Sequence, residues 1–214
     1  MIRDLDDTIA SMLKNRAPTG SALATATITF DLPDSEWRKG LSGLTVNCYL
    51  YDVRENRDLR RNESLLYRSA NGKNAALRRS PPRIDCAYSV TAWSTSATDA
   101  VLEEHRLLSQ LLLVLLQNSR IPTADLKGAM VNQPQPYPTV IAAPDTTKND
   151  PDFWKALDQE LRPALNYVVT LAMWLDPVPQ ESDMGPVVEK MKYKEGAREE
   201  WPYAPEQWPY TRPE

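Results

Sequence analysis

Residues that could carry chemistry are few in this chain. The single histidine, His105, follows two acids in Glu103-Glu104-His105, the one place where carboxylates and an imidazole adjoin in sequence. The surrounding pattern predicts a helix, in which adjacent side chains point in different directions, so this cluster does not form a catalytic pair. We expect His105 to be a hydrogen-bonded structural histidine.

Sequence signatures of catalysis are missing as well. The chain has none of the G-x-S-x-G, G-x-x-x-x-G-K-[ST] and H-E-x-x-H motifs, which mark a serine nucleophile, a phosphate-binding loop and a zinc site. Only seven glycines occur, which leaves little for a loop that wraps a phosphate. We therefore predict that the protein is not an enzyme and that it has no catalytic residue, cofactor or metal.

The two cysteines, Cys48 and Cys86, both fall on apolar faces of predicted strands. Two cysteines are too few to argue for a metal site. We expect two reduced core thiols, and a disulfide between neighbouring strands is the alternative.

The strongest charge feature lies between positions 54 and 83. The whole chain has a formal charge of -4, but this segment carries eight arginines and one lysine against three acids. It is either a solvated loop or a positive surface for an acidic partner, protein or nucleic acid. The candidate interface residues at its start are Arg54, Arg57, Arg60 and Arg61.

A second candidate interface lies at the C-terminus. After Asp176 the chain contains seven of its 18 prolines and five aromatic residues, and the tripeptide W-P-Y occurs twice. Solvating linkers rarely carry aromatics at this density, whereas aromatic side chains dominate the energetics of interfaces. We predict an arm that docks on a partner, with an arm folded back on its own domain or an idle tail as the alternatives. Its anchors are Trp201, Tyr203, Trp208 and Tyr210.

These residues are positioned by elements that the apolar periodicity predicts. From Ile84 to Ala92 every second residue is apolar, which indicates a strand with one buried face. The spacing then changes to three and four from Val101 to Leu115, which predicts a helix that starts near Thr98 or Asp99. Residues 111–116 are apolar all round, so we expect that end of the helix to be covered on more than one side.

Similar patterns predict further elements along the chain. They are helices at 2–13 and 150–162, strands at 25–30, 44–53 and 165–175, and a polar excursion at 52–80 with a tight turn at Asn71-Gly72. The predicted fold is α+β, with a single, mostly antiparallel sheet of about four to six strands and two or three helices packed on a face. Residues 1–176 form this domain, and 177–214 form an extended C-terminal arm.

No segment is predicted to span a membrane. The longest apolar run, Leu111 to Leu116, is far shorter than the roughly 20 residues that a bilayer requires. The first residues predict a polar amphipathic helix without the apolar stretch of a secretory signal. We expect the protein to be cytoplasmic on synthesis.

Several blocks, in this order and spacing, resemble one family. They are Thr45–Asn56, Pro81–Trp93 and Glu104–Leu108, with Ile2–Leu5 and the Phe30–Trp37 segment fitting as well. The chain resembles, over about residues 1–175, the cap or tail-terminator proteins of phage-tail-like contractile injection systems, of the virulence-cassette and antifeeding-prophage type.

The resemblance implies a structural role. Such a protein forms a homo-hexameric ring on the inner tube and the sheath, ends their polymerisation at the end distal to the baseplate, and becomes part of an assembled phage-tail-like particle. The alternative is a nucleic-acid-binding module that uses the Arg-rich 54–83 segment. The overall negative charge and the shortage of aromatics among those arginines disfavour it, so we expect no nucleic acid among the partners.

Overall fold

The computed structural model describes residues 1–70, 72–142 and 151–187, which belong to two compact units. The first comprises Met1–Leu65 and Arg78–Val178, and the second comprises Leu66–Leu77 and the chain from Pro179 onward. In the described residues the helices are α1 (Ile2–Arg16), α2 (Ala22–Thr25), α3 (Ser35–Lys39), α4 (Ala100–Gln117) and α5 (Pro151–Ala156). The strands are β1 (Thr27–Thr29), β2 (Thr45–Glu55), β3 (Leu65–Arg68), β4 (Asn74–Arg78), β5 (Arg83–Trp93), β6 (Thr139–Ile141), β7 (Leu165–Ala172) and β8 (Gly185–Pro186).

The first unit is built on a five-stranded sheet in the order β1-β2-β5-β7-β6. β1 pairs with β2 in parallel, and the remaining pairs are antiparallel. The long β2–β5 pair forms its centre, with Val46 opposite Ala92 and Cys48 opposite Val90. The predicted α+β fold with a mostly antiparallel sheet is confirmed.

One face of this sheet carries the core. Alternate residues of β2, β5 and β7 point into it, as the period of two predicts. They pack against the apolar stripes of α1 and α4 and against Leu23 of α2. The buried members of this core include Leu5, Ile9, Met12, Leu13, Val46, Cys48, Cys86, Tyr88, Val90, Leu107, Leu111, Val114, Leu115, Tyr167, Val169 and Leu171.

Local capping explains where the short helices begin. The Ser21 hydroxyl accepts the Ala24 N–H at 3.3 Å at the start of α2, and the Asp34 carboxylate accepts the Trp37 N–H at 2.7 Å at the start of α3. Each bond satisfies a donor that has no partner inside its helix. α3 thereby places Trp37 edge-on against Trp93 at the end of β5, with ring centroids 5.1 Å apart.

The cysteines lie far apart on their strands. Cys48 is opposite Val90, and Cys86 is opposite Val53, so the two cysteines are offset by four positions along β5. That offset is about 13 Å along a strand, beyond the roughly 7 Å between Cα atoms that a disulfide tolerates. Both thiols are buried and free, and burial raises the pKa of Cys86 to about 11. The prediction of two reduced core thiols is confirmed.

Several element ends differ from the sequence prediction: α1 runs to Arg16, and Thr25, predicted to lie in a strand, ends α2. α5 stops at Ala156 instead of extending to 162, because Asp158 adopts φ +52° and the Gln159 N–H bonds back to the Trp154 carbonyl at 2.9 Å. This is a left-handed helix end, which asparagine and aspartate tolerate better than most residues. β7 ends at Ala172, and Leu175, predicted to face the core, is exposed.

The second unit contains a small sheet in the order β3-β4-β8. The Ser69 N–H donates to the Asn74 carbonyl at 2.9 Å across the turn between β3 and β4. Gly72 has φ +71°, a conformation that glycine adopts without steric cost, as a tight turn there requires. The predicted domain boundary between residues 176 and 177 stays a prediction, because residues 188–214 lie outside the described ones.

A polar contact between α1 and the sheet gives the first testable prediction. The Tyr88 hydroxyl donates to Asp6 Oδ1 at 2.8 Å. Burial raises the pKa of the Asp6 carboxyl, and this effect exceeds the lowering by the hydrogen bond from Tyr88. The contribution of this carboxyl to stability is therefore complete below its unfolded pKa of about 3.9 and is lost as the pH rises through the folded pKa.

The variant Asp6→Asn keeps an oxygen acceptor for Tyr88 and removes the charge. We expect a higher free energy of unfolding than wild type at pH 7 and a gain that shrinks as the pH falls toward about 4. Urea denaturation at several pH values in this range measures the difference in free energy of unfolding between the variant and wild type. Asp7→Asn removes a neighbouring charge that also raises the pKa of Asp6, so it should give a smaller gain of the same sign. An Asp6→Asn effect that is the same at both pH values would contradict the assignment.

Candidate protein-protein interface

The predicted arginine cluster starts at the end of β2. Arg54 is the penultimate strand residue, and Arg57, Arg60 and Arg61 follow in the loop. Arg54 pairs with Asp52, and Arg60 Nε lies 3.3 Å from Glu55 Oε1. Both arginines are more than half exposed, and such surface pairs contribute at most about 1 kcal/mol. These two ion pairs therefore leave both guanidinium groups available to a partner.

Arg57 and Arg61 are also exposed, and neither forms an ion pair with a residue that the structure describes. The four candidate arginines thus share one exposed loop and the strand end beside it. An acidic surface would gain most from Arg57 and Arg61, because no intramolecular carboxylate has to be displaced.

The later arginines of the cluster behave differently. Arg78 is buried, its guanidinium stacks 3.8 Å from the centre of the Trp174 ring, and it donates to the Asp176 carbonyl. Arg79 Nε lies 3.4 Å from an Asp176 carboxylate oxygen. The positive surface of the first unit is therefore smaller than the count of arginines in the sequence suggests.

A shallow cleft adjoins the arginine loop and was not predicted from the sequence. Its volume is about 80 Å³. It is lined by Leu59, Arg61, Leu65, Ser80, Pro81, Arg83, Pro134 and Trp174. These residues come from four distant parts of the chain, and the proline pair at 81–82 is the only local signal that marks the place.

An apolar stripe of α4 is also exposed. Leu102, Leu113 and Leu116 lie on the solvent side of the helix, and Leu113 and Leu116 are 58% and 56% exposed. We expected residues 111–116 to be covered on more than one side, and this expectation is wrong for the single chain. Leu111, Val114 and Leu115 fill the core side, and one sheet face offers cover to only one side of the helix.

The residues around His105 support no chemistry. The Glu104 carboxylate accepts the Ser94 N–H at 3.1 Å, and the Glu103 carboxylate accepts the Ser94 hydroxyl. The His105 side chain is exposed and makes no hydrogen bond to a described residue, so the expectation of a hydrogen-bonded histidine was wrong. In the part of the chain that the structure describes, no three His, Cys, Asp or Glu side chains group as metal ligands, and no helix is long and apolar enough to cross a membrane.

The four aromatic anchors predicted for the C-terminal arm, Trp201, Tyr203, Trp208 and Tyr210, lie outside the described residues. Their role stays a prediction.

The fold and the sequence of this chain are similar to those of known proteins. The chain is similar in structure to the sheath/tube terminator of PVC, an extracellular contractile injection system, in its extended state, with a TM-score of 0.62 and 24% identity over 92% of this chain and 65% of that one. It is similar also to the tube-terminating cap of the anti-feeding prophage, with a TM-score of 0.58 and 24% identity over 90% of this chain and 61% of that one. The chain thus spans less than two thirds of either solved chain. No curated protein sequence matches it.

The sequence itself matches a family profile. The profile described as the Pvc16 N-terminal domain aligns with residues 4–189, which is most of the chain and includes every element of the five-stranded sheet. The resemblance to cap proteins, which rested on blocks of sequence such as Thr45–Asn56 and Pro81–Trp93, is confirmed. The chain belongs to the Pvc16 N-terminal domain family.

Proposed function

We propose that the protein is a structural cap of a contractile injection system. It ends the polymerisation of the inner tube and the sheath at the end distal to the baseplate. The observation that carries this proposal is the family match over residues 4–189 on a fold shared with two terminator proteins. The protein would act by shape and would transform no molecule.

A ring of identical copies suits this role. Identical head-to-tail contacts close only at one rotation, and a closed ring has no open end to which a further copy can add. A homo-hexamer would match a six-fold tube. Its partners are then other copies of itself, the tube protein and the sheath protein, and its location is the assembled particle rather than the cytoplasm where it is made.

The central test compares particles assembled with and without the protein. With wild-type protein we expect tubes and sheaths of one length, and without it we expect a broad length distribution. A second arm uses the chain truncated after residue 176, which removes the predicted docking arm. If that arm completes a contact with the sheath, the truncated chain leaves sheath length uncontrolled, and negative-stain imaging measures it. Normal lengths with the truncated chain would refute a role for the arm, and normal lengths without any protein would refute the cap.

The arginine loop is the proposed contact with an acidic surface of the tube or sheath. The double variant Arg57→Glu and Arg60→Glu should weaken cosedimentation with assembled tube and sheath about tenfold at low salt and less at high salt, because exposed charges are screened. The matched control reverses two exposed arginines elsewhere, Arg3 and Arg120, and should cosediment as wild type does.

Unaltered cosedimentation of the loop variant would remove these arginines from the interface. A salt-titrated gel shift with duplex DNA and RNA completes the test. A steep loss of nucleic-acid affinity with rising salt, absent from the loop variant, would replace the cap contact with nucleic-acid binding.

A further inference from the structure

The cleft beside the arginine loop has the size of a side-chain pocket. Its volume is about 80 Å³, whereas sites for whole small molecules measure roughly 300–1,000 Å³. Pro81 is buried in its wall, and Leu59 and Leu65 remain 48% and 40% exposed at it. A single ring or aliphatic side chain presented by an extended peptide fits these dimensions.

The aromatic wall of the cleft is held in place. The Arg78 guanidinium stacks on the Trp174 ring at 3.8 Å, and the Trp174 backbone N–H donates to Gln133 Oε1 at 2.9 Å. Arg78 itself is anchored by the Asp176 carbonyl. A wall that is already ordered adds no ordering cost to binding, which favours even a small contact.

The positive charge of the cleft favours a peptide with acidic side chains. Arg61 and Arg83 both line the cleft, and Arg61 has no ion pair with a described residue. Guanidinium groups bind carboxylates through two parallel hydrogen bonds. The preferred ligand is therefore an extended acidic segment that carries a proline or aromatic ring.

This chain contains such a segment. Residues 199–214 read EEWPYAPEQWPYTRPE, with four glutamates against one arginine and both copies of W-P-Y. Pro202 and Pro205 form a P-x-x-P spacing, and proline-rich segments of this kind dock in grooves lined by aromatic side chains. We propose that the segment 199–214 of one copy binds the cleft of a second copy.

The contact would be heterologous, because the segment and the cleft are different surfaces. A heterologous contact generates a ring when its rotation closes. Residues 188–214 could span up to about 90 Å when extended, which is enough to cross a neighbouring subunit. The inference rests on the proposed ring, but its test needs neither tube nor sheath, so the two can fail separately.

Sedimentation velocity of the full-length chain over a concentration series tests the proposal. We expect reversible self-association in wild type, at least tenfold weaker in Arg61→Glu with Arg83→Glu. Replacing Glu199, Glu200 and Glu206 by lysine should weaken it similarly, and combining both sets of reversals should restore most of it. The single variant Arg61→Glu repeats the test without changing β5. Arg61 is an exposed loop residue, so we expect this variant to fold as wild type does.

The Arg3→Glu, Arg120→Glu control should associate as wild type does. The proposal is overturned if wild type stays monomeric at every concentration, if the cleft variants associate like wild type, or if the combined reversals associate no better than either set alone. If the segment instead occupies the cleft of its own chain, wild type stays monomeric, and that result also overturns the proposal.

Discussion

Trp93→Ala is expected to lower the free energy of unfolding by about 3–5 kcal/mol, the usual cost of truncating a fully buried tryptophan. Trp93 is 1% exposed and is the last residue of β5. Its ring packs edge-on against Trp37 of α3, and the Arg38 guanidinium lies 5.9 Å from the ring centre. The cavity left behind would be bordered by groups that cannot collapse into it, since several are charged.

Those charged groups make the site more sensitive than an aliphatic core position. The Arg162 guanidinium lies 3.5 Å from the centre of the Trp93 ring, and its side chain is only 14% exposed. It also donates to the Ala92 carbonyl at 3.2 Å and lies 3.5 Å from Glu104 Oε1. Without the indole, this cation loses its stacking partner while it stays largely out of water, which adds to the loss.

The conservative variant Trp93→Phe separates the contributions. It retains an aromatic face for Arg162 but loses the Nε1–H that donates to the Thr91 hydroxyl at 2.8 Å. We expect it to cost about 1–2 kcal/mol, because it leaves a smaller void and one buried hydroxyl with fewer partners. Urea denaturation followed by circular dichroism measures both. Equal losses for the two variants would show that the ring face contributes nothing and would contradict the stacking argument.

The sheet could be predicted from the sequence because its strands alternate cleanly. Cys86, Tyr88 and Val90 are buried as their period of two required, and Tyr167, Val169 and Leu171 of β7 repeat the pattern. A shift by one residue would move this apolar set to the opposite face of the sheet, so the pattern fixes both element and orientation.

The ends of elements and the exposed apolar residues could not be predicted in the same way. Asp158 ends α5 by adopting a left-handed backbone conformation, and no sequence motif nearby predicts that conformation. Leu113 looks like a core residue in sequence but lies on the uncovered side of α4, because the single sheet leaves that side to solvent. Periodicity reports which residues could be buried, and the number of layers decides which of them are.

The exposure of the arginine cluster was predicted in part. Charge density placed Arg57 and Arg61 on the surface, since a loop with so many arginines cannot enter a core. The same reasoning misplaced Arg78, whose aliphatic stem and guanidinium are buried against Trp174. That pairing joins positions almost a hundred residues apart, and a single sequence contains no sign of such a contact.

Asp125→Ala is the second change with a large expected effect. The Asp125 side chain is 2% exposed and lies in the 3₁₀ helix Thr123–Asp125. It accepts from Asn15 Nδ2 at 2.7 Å and from Arg16 Nε at 3.2 Å, so it fastens the last turn of α1 to the segment after α4. Removing one partner of a buried pair costs about 3–5 kcal/mol, but Arg16 is 42% exposed and can hydrate, so we expect about 2–3 kcal/mol.

Two further variants locate the source of that loss. Asp125→Asn keeps an oxygen for Asn15 and gives up the charge facing Arg16, so it should lose about 1 kcal/mol less than alanine does. Arg16→Ala should cost at least as much as Asp125→Ala, because it leaves the buried Asp125 carboxylate without the cation that compensates its charge. Hydrogen exchange should show the opening confined first to the end of α1, since that turn loses both of its bonds to Asp125. If Asp125→Ala costs less than about 1 kcal/mol, as an exposed pair would, the buried carboxylate does not hold α1 in place, and the apolar stripe of Leu5, Ile9 and Met12 does so alone.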